Sequence, residues 1–279
     1  MIELFSIPRR VPPRTSPECD QKIPRIIWQT MKTTRVPKVM HEYSNSWTEQ
    51  NPEYEYRFLD DEELLKMMTV EFAEYMPAFK KAKIGAIKAD LWRYLVIYKH
   101  GGVYADMDCR CMVPLRNWVQ PEAAWVTQLG INRDVCQWLI ISVPGNPVFK
   151  KAAEKSFRNL TNAVEFCEYS GFELAADGAI QMSRQQRIKS FHPVMKLAGP
   201  PVLQKSAEEC FVSPEESGIF RSTQIVCVSG NSSCQMNGNV QHTYRDPQYV
   251  EALKQLSTPH YEDRQPGRFS SLFRRLVRS

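Results

Sequence analysis

The stretch IGAIKADLWRYLVIYKHGGVYADMD, residues 84–108, decides the fold. Apolar residues recur at helical spacing in its first part and predict a helix over 84–100. They are Ile84, Ile87, Leu91, Leu95 and Tyr98. The pair Gly101-Gly102 ends this helix, because glycine tolerates the left-handed conformation that follows a last turn. Residues 103–107 (VYADM) then predict a strand, so a helix leads directly into a strand.

Predicted strands and helices alternate along the rest of the chain. Short apolar or alternating runs predict strands over 23–30, 54–59 and 137–143. Helical spacing and capping residues predict helices over 38–50, from 60 onward, and over 146–159, 196–209 and 246–256. This alternation indicates the α/β class, with a mostly parallel, Rossmann-like sheet flanked by helices. Ligands of such sheets bind at the carboxyl ends of strands, where Asp106 and Asp108 fall.

The excess charge of the chain lies in its last residues. The formal net charge is +5, and residues 264–279 hold five arginines and no acidic residue. The rest of the chain therefore balances to zero. A uniformly basic nucleic-acid-binding protein does not have this distribution, so we expect no nucleic-acid partner.

No segment of the sequence signals secretion or membrane insertion. No run reaches the roughly 18 apolar residues of a membrane-spanning helix, and residues 1–20 lack the apolar centre of a signal peptide. Eight cysteines without a secretion signal are expected to be free thiols. We therefore expect a cytoplasmic protein, or a piece of a longer chain.

Two carboxylates separated by one residue follow the predicted strand. Asp106 and Asp108 stand where this strand turns into a loop, so both can reach one divalent cation. Hard oxygen ligands suit Mg²⁺ or Mn²⁺. Such an ion can bridge the two phosphates of a nucleoside diphosphate and neutralise its charge as it leaves. The alternative is two solvated acids in a turn, which the motif alone does not exclude.

A second charged pair stands inside the apolar helix. Asp90 and Arg93 are three residues apart and share one side of that helix. Charged groups are costly to bury unless they are paired or used. One hypothesis is an ion pair on an exposed face of the helix. The other is a carboxylate and a guanidinium that hold the hydroxyls and phosphate of a sugar donor.

Residues 89–95 (ADLWRYL) and 98–108 (YKHGGVYADMD) together resemble the core of the DxD sugar-binding glycosyltransferases. That family includes initiating α-1,6-mannosyltransferases, inositol-phosphoceramide mannosyltransferases and bacterial capsule or lipid glycosyltransferases. Residues 23–30 and 51–56 resemble its first two strands, and Gly199-Pro200 resembles a family turn. The resemblance implies a GT-A-like fold and a retaining transfer of a hexose from a nucleotide sugar.

The resemblance also implies roles for individual residues. Asp106 and Asp108 would be the catalytic pair, with Asp108 as the direct ligand of a Mn²⁺ or Mg²⁺ ion and Asp106 bound to it through water. The implied donor-binding residues are Asp90, Arg93, Tyr104, Ile27, Trp28, Gln29 and Gly102. The implied partners are a donor, GDP-mannose or a UDP-hexose, and a glycan, lipid or protein acceptor.

The resemblance has departures near the donor base and at the C-terminal end. Trp28 stands where the family usually has histidine, and Ala198 stands where it usually has threonine. His242, in the run QHTY, matches the family histidine that would complete the metal or diphosphate site. The alternative is a histidine with a structural role.

Three segments are expected along the chain. Residues 1–22 predict an extended arm rich in proline and arginine, and residues 23–260 a single catalytic domain. Residues 261–279 form a basic tail, in which 268–278 predict an amphipathic helix. This helix would either contact an anionic membrane surface or dock on the domain. An alternative function for the whole is a catalytically inactive nucleotide-sugar-binding module of the same fold.

Overall fold

The structure is a computed structural model. It describes residues 3–82, 84–129, 135–162, 166, 173–174, 180–181, 193–211, 223–228, 238–242 and 246–256.

The strands and helices of these residues alternate as the sequence predicts. The strands are β1 (Leu4–Ser6), β2 (Arg10–Val11), β3 (Ile26–Thr30), β4 (Arg35–Pro37), β5 (Glu55–Leu59), β6 (Gly102–Ala105), β7 (Cys109–Cys111), β8 (Trp125–Leu129), β9 (Leu139–Ser142), β10 (Glu173–Leu174), β11 (Ile180–Gln181), β12 (Thr223–Val228) and β13 (Val240–His242). The α-helices are α1 (Lys38–Gln50), α2 (Asp61–Glu71), α3 (Met76–Lys81), α4 (Gly85–His100), α5 (Pro147–Thr161), α6 (Pro193–Ala198), α7 (Pro200–Phe211) and α8 (Pro247–Gln255). Short 3₁₀ turns occupy Ala73–Tyr75 and Leu115–Asn117.

Seven of these strands form one sheet, in the order β12-β8-β9-β6-β3-β5-β2. The strands β5, β3, β6, β8 and β12 point the same way, whereas β9 and β2 run against their neighbours. The expected α/β fold with a mostly parallel sheet is therefore confirmed. Because β9 is antiparallel to β6, the start of β9 lies at the same edge of the sheet as the end of β6.

Apolar side chains cover both faces of this sheet. Along β6 and β9 successive residues alternate between two buried clusters, as the two-residue period of a strand requires. Tyr104 and Ile140 pack on one face, against α4, α5 and α7. Val103 and Ile141 pack on the other face, against α1 and α8. Helices on both faces make this a three-layer α/β arrangement.

The helix α4 and the strand β6 meet at two glycines that no other residue could replace without strain. Gly101 and Gly102 have φ angles of 65° and 96°. A Cβ atom on Gly102 would lie 2.5 Å from the carbonyl oxygen of Ile26. The close approach of β6 to β3 therefore requires glycine at this position.

The prediction of one helix over 196–209 is wrong. The structure has two helices there, α6 and α7, separated at Gly199. Pro200 disfavours helical geometry at Gly199, while Pro200 and Pro201 both fit the first turn of a new helix.

Part of the N-terminal segment is integrated into the domain. Residues 3–22 include two short strands, of which β1 pairs with β4 and β2 pairs with β5 at the edge of the seven-stranded sheet. Ile7 is buried against the core on the same side as α1.

None of the helices in the described parts of the chain has the length and apolar character that crossing a membrane requires.

Candidate active site

Asp106, Asp108 and His242, three of the predicted site residues, lie together at the carboxyl edge of the sheet. Asp106 directly follows β6, and the turn after it brings Asp108 to the start of β7. Gln137 and Trp138 precede β9 and reach the same edge because that strand is antiparallel. His242 ends β13, which pairs with β7 and places it opposite Cys109.

Backbone hydrogen bonds fix the position of Asp106. Its amide donates to the carbonyl of Trp138 at 2.9 Å, and its carbonyl accepts from the amide of Cys109 at 3.0 Å. The side-chain amide of Gln29 donates to the same carbonyl at 3.2 Å. Three separate elements therefore hold the turn that carries both aspartates.

A buried guanidinium joins the carboxylate of the helix to the carboxylate of the turn. The Nη2 atom of Arg93 lies 2.8 Å from Asp90 Oδ1 and 3.1 Å from Asp106 Oδ1. Its Nη1 atom donates to the carbonyl of Gln137 at 3.1 Å, and only 6% of the side chain is exposed. The hypothesis of an ion pair on an exposed helix face is therefore wrong. Paired burial of this kind is how a protein tolerates charges inside it.

Tyr104 completes the environment of Asp106. Its hydroxyl donates to Asp106 Oδ1 at 2.5 Å, and the Arg93 guanidinium lies 4.6 Å from the centre of its ring. Burial raises the pKa of Tyr104 well above its usual range, so the hydroxyl keeps its proton as a donor. Because Arg93 and Tyr104 both use Oδ1, we expect a ligand to contact the other oxygen of Asp106.

Burial also changes the acidity of the two carboxylates that Arg93 joins. It raises the pKa of Asp90 to about 6, although the charge of Arg93 acts in the opposite direction. Burial likewise raises the pKa of Asp106, against the opposing effect of Arg93 and with a contribution from the charge of Asp108. Perturbed groups gathered at one edge of a sheet are typical of functional sites.

Asp108, Cys109 and His242 form a cluster of possible metal ligands. Their ligand atoms all lie within 4.8 Å of one another. His242 Nε2 lies 3.2 Å from Asp108 Oδ1, and its ring stacks on Trp138 with centroids 4.7 Å apart. A carboxylate and an imidazole at this separation fit the divalent cation that the sequence implies. The stacking keeps the imidazole aligned with the carboxylate.

The remaining predicted donor-binding residues are buried and have partners within the protein. Ile27 packs in the core. The indole of Trp28 donates to the carbonyl of Gly101 at 3.0 Å, and Gln29 bonds to Tyr56 as well as Asp106. Gly102 serves the close approach of β6 to β3. Direct contact of these residues with a donor stays a prediction.

Gln137 and Trp138 also belong to this site, although the sequence did not predict it. Gln137 Nε2 donates to Asp90 Oδ1 at 2.6 Å, and Tyr94 donates to Gln137 Oε1 at 3.0 Å. The two residues were predicted only as the beginning of a strand. A glutamine and a tryptophan before a buried strand could have been recognised as site residues only if the direction of that strand had been known.

The central segment of this site has a recognised sequence pattern. Residues 37–125 match the family described as "Glycosyltransferase sugar-binding region containing DXD motif". The resemblance inferred from the sequence is confirmed over this segment. The matched residues include Asp90, Arg93, Tyr104, Asp106 and Asp108, and the match ends before the residues that β9 and β13 contribute.

Known proteins resemble the chain over about half of its length. The "Initiation-specific alpha-1,6-mannosyltransferase" of Schizosaccharomyces pombe is 28% identical over 149 residues, which is 45% of this chain and 37% of the relative. The "Inositol phosphoceramide mannosyltransferase 2" of the same yeast is 31% identical over 140 residues, 49% of this chain and 39% of the relative. The chain thus matches well under half of the length of these relatives.

Among solved structures, the "PaToxG Glycosyltransferase" is similar with a TM-score of 0.46 and 14% identity. The superposition covers 92% of this chain and 85% of that one.

Proposed function

We propose that the protein is a metal-dependent glycosyltransferase. It would move a hexose from a nucleotide-sugar donor to a glycan, lipid or protein acceptor. The observation that carries the proposal is the junction of Arg93 with Asp90 and Asp106 at the edge where Asp108 and His242 also meet. All of these except His242 lie inside the segment that matches the DXD sugar-binding region.

The charge of the site supports a divalent cation. Among the described residues, Asp90 and Asp106 share the guanidinium of Arg93, and the charge of Asp108 raises the pKa of Asp106. Carboxylates gathered in this way favour an ion such as Mn²⁺ or Mg²⁺. Asp108 and His242 would bind the ion directly, and Asp106 would contact it through water. When bound, the ion neutralises the diphosphate that leaves with the nucleotide.

The residues of the chain would then position the donor. Arg93 holds Asp106 in one orientation through Oδ1 and stabilises its charge despite burial. Asp90, fixed by Gln137 and Arg93, would accept hydrogen bonds from sugar hydroxyls. Positioning and charge stabilisation of this kind account for much of the rate of transfer to an acceptor.

The donor and the stereochemistry belong to the proposal. The relatives named above are mannosyltransferases, so GDP-mannose is the first donor to test and UDP-hexoses are the next. The resemblance implies retention of configuration at the transferred sugar. The alternative, an inactive nucleotide-sugar-binding module, would bind the same donors without cleaving them.

A donor-hydrolysis screen distinguishes the two functions. The full chain would be incubated with GDP-mannose and each UDP-hexose, with Mn²⁺, Mg²⁺ or EDTA, and the release of nucleoside diphosphate measured. We expect release from one donor class that needs the metal. Metal-dependent binding of a donor by calorimetry, without any release even when acceptors are added, would instead establish the inactive module.

The membrane contact predicted for residues 268–278 stays a prediction, because residues 257–279 lie outside the described residues. The cytoplasmic location also stays a prediction. Deleting residues 264–279 tests the contact. We expect the deletion to abolish co-sedimentation with anionic vesicles and to leave donor hydrolysis intact. Full-length protein that fails to bind such vesicles at low salt would contradict the prediction.

A further inference from the structure

A thiol lies against the proposed metal ligands. Cys109 Sγ is 3.7 Å from Asp108 Oδ1, and it belongs to the cluster in which all ligand atoms lie within 4.8 Å. Magnesium prefers oxygen ligands and does not favour a thiol. A group of one sulfur, one nitrogen and one oxygen is instead the ligand set of zinc and of similar borderline-soft cations.

Two of the distances within the cluster are close to those of a tetrahedral zinc site. Bonds of about 2.0 Å to oxygen and nitrogen and about 2.3 Å to sulfur place an oxygen and a nitrogen about 3.3 Å apart, and an oxygen and a sulfur about 3.5 Å apart. The corresponding separations here are 3.2 Å between Asp108 and His242 and 3.7 Å between Asp108 and Cys109. Asp108 therefore stands close to where zinc requires it relative to each of the other two ligands, which lie within 4.8 Å of one another.

The backbone around the three ligands is fixed before any ion binds. Cys109 and His242 face each other across the pair of strands β7 and β13. The indole of Trp47 donates to the carbonyl of Cys109 at 2.9 Å, and Trp138 stacks on the imidazole of His242. Preorganisation lowers the cost of ordering ligands when the cation binds. The side chains of Asp108 and His242 are partly exposed, at 14% and 13%, which gives the ion a route of entry.

We infer that Asp108, Cys109 and His242 form a zinc site that shares two ligands with the proposed site for Mn²⁺ or Mg²⁺. The ion binds three protein groups and keeps its fourth position for water. As the zinc–sulfur bond forms, the thiol proton of Cys109 passes to the solvent. The binding itself does not depend on the proposed function.

One consequence does rest on the proposed function. Zinc at this position occupies Asp108 and His242 and therefore displaces the ion that transfer requires. Micromolar zinc should inhibit donor hydrolysis, and added Mn²⁺ should relieve the inhibition by competition. If the protein has no transferase activity, inhibition by zinc cannot be measured, whereas zinc binding still can.

The test uses cobalt as a spectroscopic probe for zinc in the full chain. Co²⁺ bound to a thiolate gives a charge-transfer absorption in the near ultraviolet, and zinc abolishes it by displacement. We expect this absorption in the unmodified protein and its loss in Cys109→Ala. The matched control is Cys111→Ala, because Cys111 is buried on the same strand but outside the cluster. We expect Cys111→Ala to keep the absorption.

Two results would overturn the inference. One is the absence of the charge-transfer absorption in the unmodified protein under saturating Co²⁺, which needs no variant to interpret. The other is its persistence in a Cys109→Ala variant, which would assign the thiolate to another cysteine. Thermal unfolding of each variant verifies that the loss of absorption is not a loss of fold. The variant His242→Ala should weaken zinc binding and tests the same site through a second ligand.

Discussion

Arg93 donates from one nitrogen atom to two carboxylates, those of Asp90 at 2.8 Å and Asp106 at 3.1 Å. The first carboxylate belongs to the same helix, and the second belongs to the DxD motif at the end of the neighbouring strand. The helix α4 is thereby joined to the carboxyl edge of the sheet by a buried charge. Each of the three residues depends on the others for its orientation.

Replacing Arg93 with lysine should show whether the site needs only the positive charge or also the planar geometry of the guanidinium. Lysine keeps the positive charge but lacks the planar fork that reaches Asp90, Asp106 and the carbonyl of Gln137 together. We expect kcat/KM for donor hydrolysis to fall on the order of a hundredfold, or about 2.7 kcal/mol. Arg93→Ala should in addition lower the free energy of unfolding by about 3–5 kcal/mol, because it leaves buried carboxylates unpaired.

Comparing the two variants by urea unfolding and by kinetics checks this prediction. An Arg93→Lys variant with full activity would show that the guanidinium fork is not needed at the site. If that variant instead loses as much stability as Arg93→Ala, the pair with Asp90 is structural and the role in donor positioning is wrong.

Asp108→Asn should weaken the binding of the metal and remove most of the activity. The amide keeps the shape of the side chain but takes away a negative charge from a hard-ion site. We expect kcat to fall by about a hundredfold or more, and the Mn²⁺ concentration at half-maximal rate to rise. The measurement is a Mn²⁺ titration of donor hydrolysis for both proteins.

The control for Asp108→Asn is Asp246→Asn. Asp246 caps helix α8 through its side chain and is not one of the clustered ligands Asp108, Cys109 and His242. This variant should lose little stability, because asparagine caps a helix about as well as aspartate, and its metal dependence should not change. Full activity of Asp108→Asn in EDTA would contradict the metal site.

Asp90 should make the protein less stable as pH rises from about 4 to about 6. Its pKa in the folded protein is raised to about 6 from an ordinary value near 3.8, so over this interval the folded state binds more protons than the unfolded state. The unfolding free energy therefore falls with increasing pH, by up to about 3 kcal/mol for two pKa units. The contribution is fully present below pH 4 and lost above the folded pKa.

The variant Asp90→Asn isolates this effect, because asparagine does not titrate. We expect the difference in unfolding free energy between the unmodified protein and Asp90→Asn to fall by about 3 kcal/mol between pH 4 and pH 7. Urea unfolding at several pH values measures it. A difference that stays constant over this range would show that Asp90 titrates at its ordinary pKa.

Gly102→Ala should be strongly destabilising, whereas Gly85→Ala should be tolerated. A Cβ atom on Gly102 meets the carbonyl oxygen of Ile26 at 2.5 Å, and the φ angle there is 96°. We expect a loss of about 2–4 kcal/mol from the clash and the strained backbone. At Gly85 the new atom meets nothing within 4 Å, and alanine favours the helix, so we expect no loss of stability. Thermal unfolding of both variants checks the contrast, and equal stability of the two would contradict it.

Residues 84–108 could be predicted because all of their signals are local. Helical spacing, two glycines and two aspartates follow one another without a gap, so α4, β6 and the DxD turn needed no knowledge of distant residues. The break between two helices at Gly199 also has a local signal, the prolines Pro200 and Pro201, but this signal was misinterpreted.

The rest of the site depends on long-range pairing. Gln137 and Trp138 reach Asp90 and Asp106 only because β9 runs antiparallel to β6, and no local pattern gives the direction of a strand. The bond of Arg93 to Asp90 follows from helical spacing, whereas its bond to Asp106 follows from the packing of α4 on β6. Strands of three residues, such as β7 and β13, are too short for their period to be recognised.

The pairing of β13 with β7 has a consequence for the order in which the site is assembled. During synthesis the carboxylates of Asp106 and Asp108 leave the ribosome long before His242, which reaches them only through this pair of strands. A nascent chain that ends soon after residue 125 already holds the whole matched segment, yet it lacks the imidazole. Complete ligation of the proposed cation would therefore wait until His242 has been synthesised, long after the two aspartates.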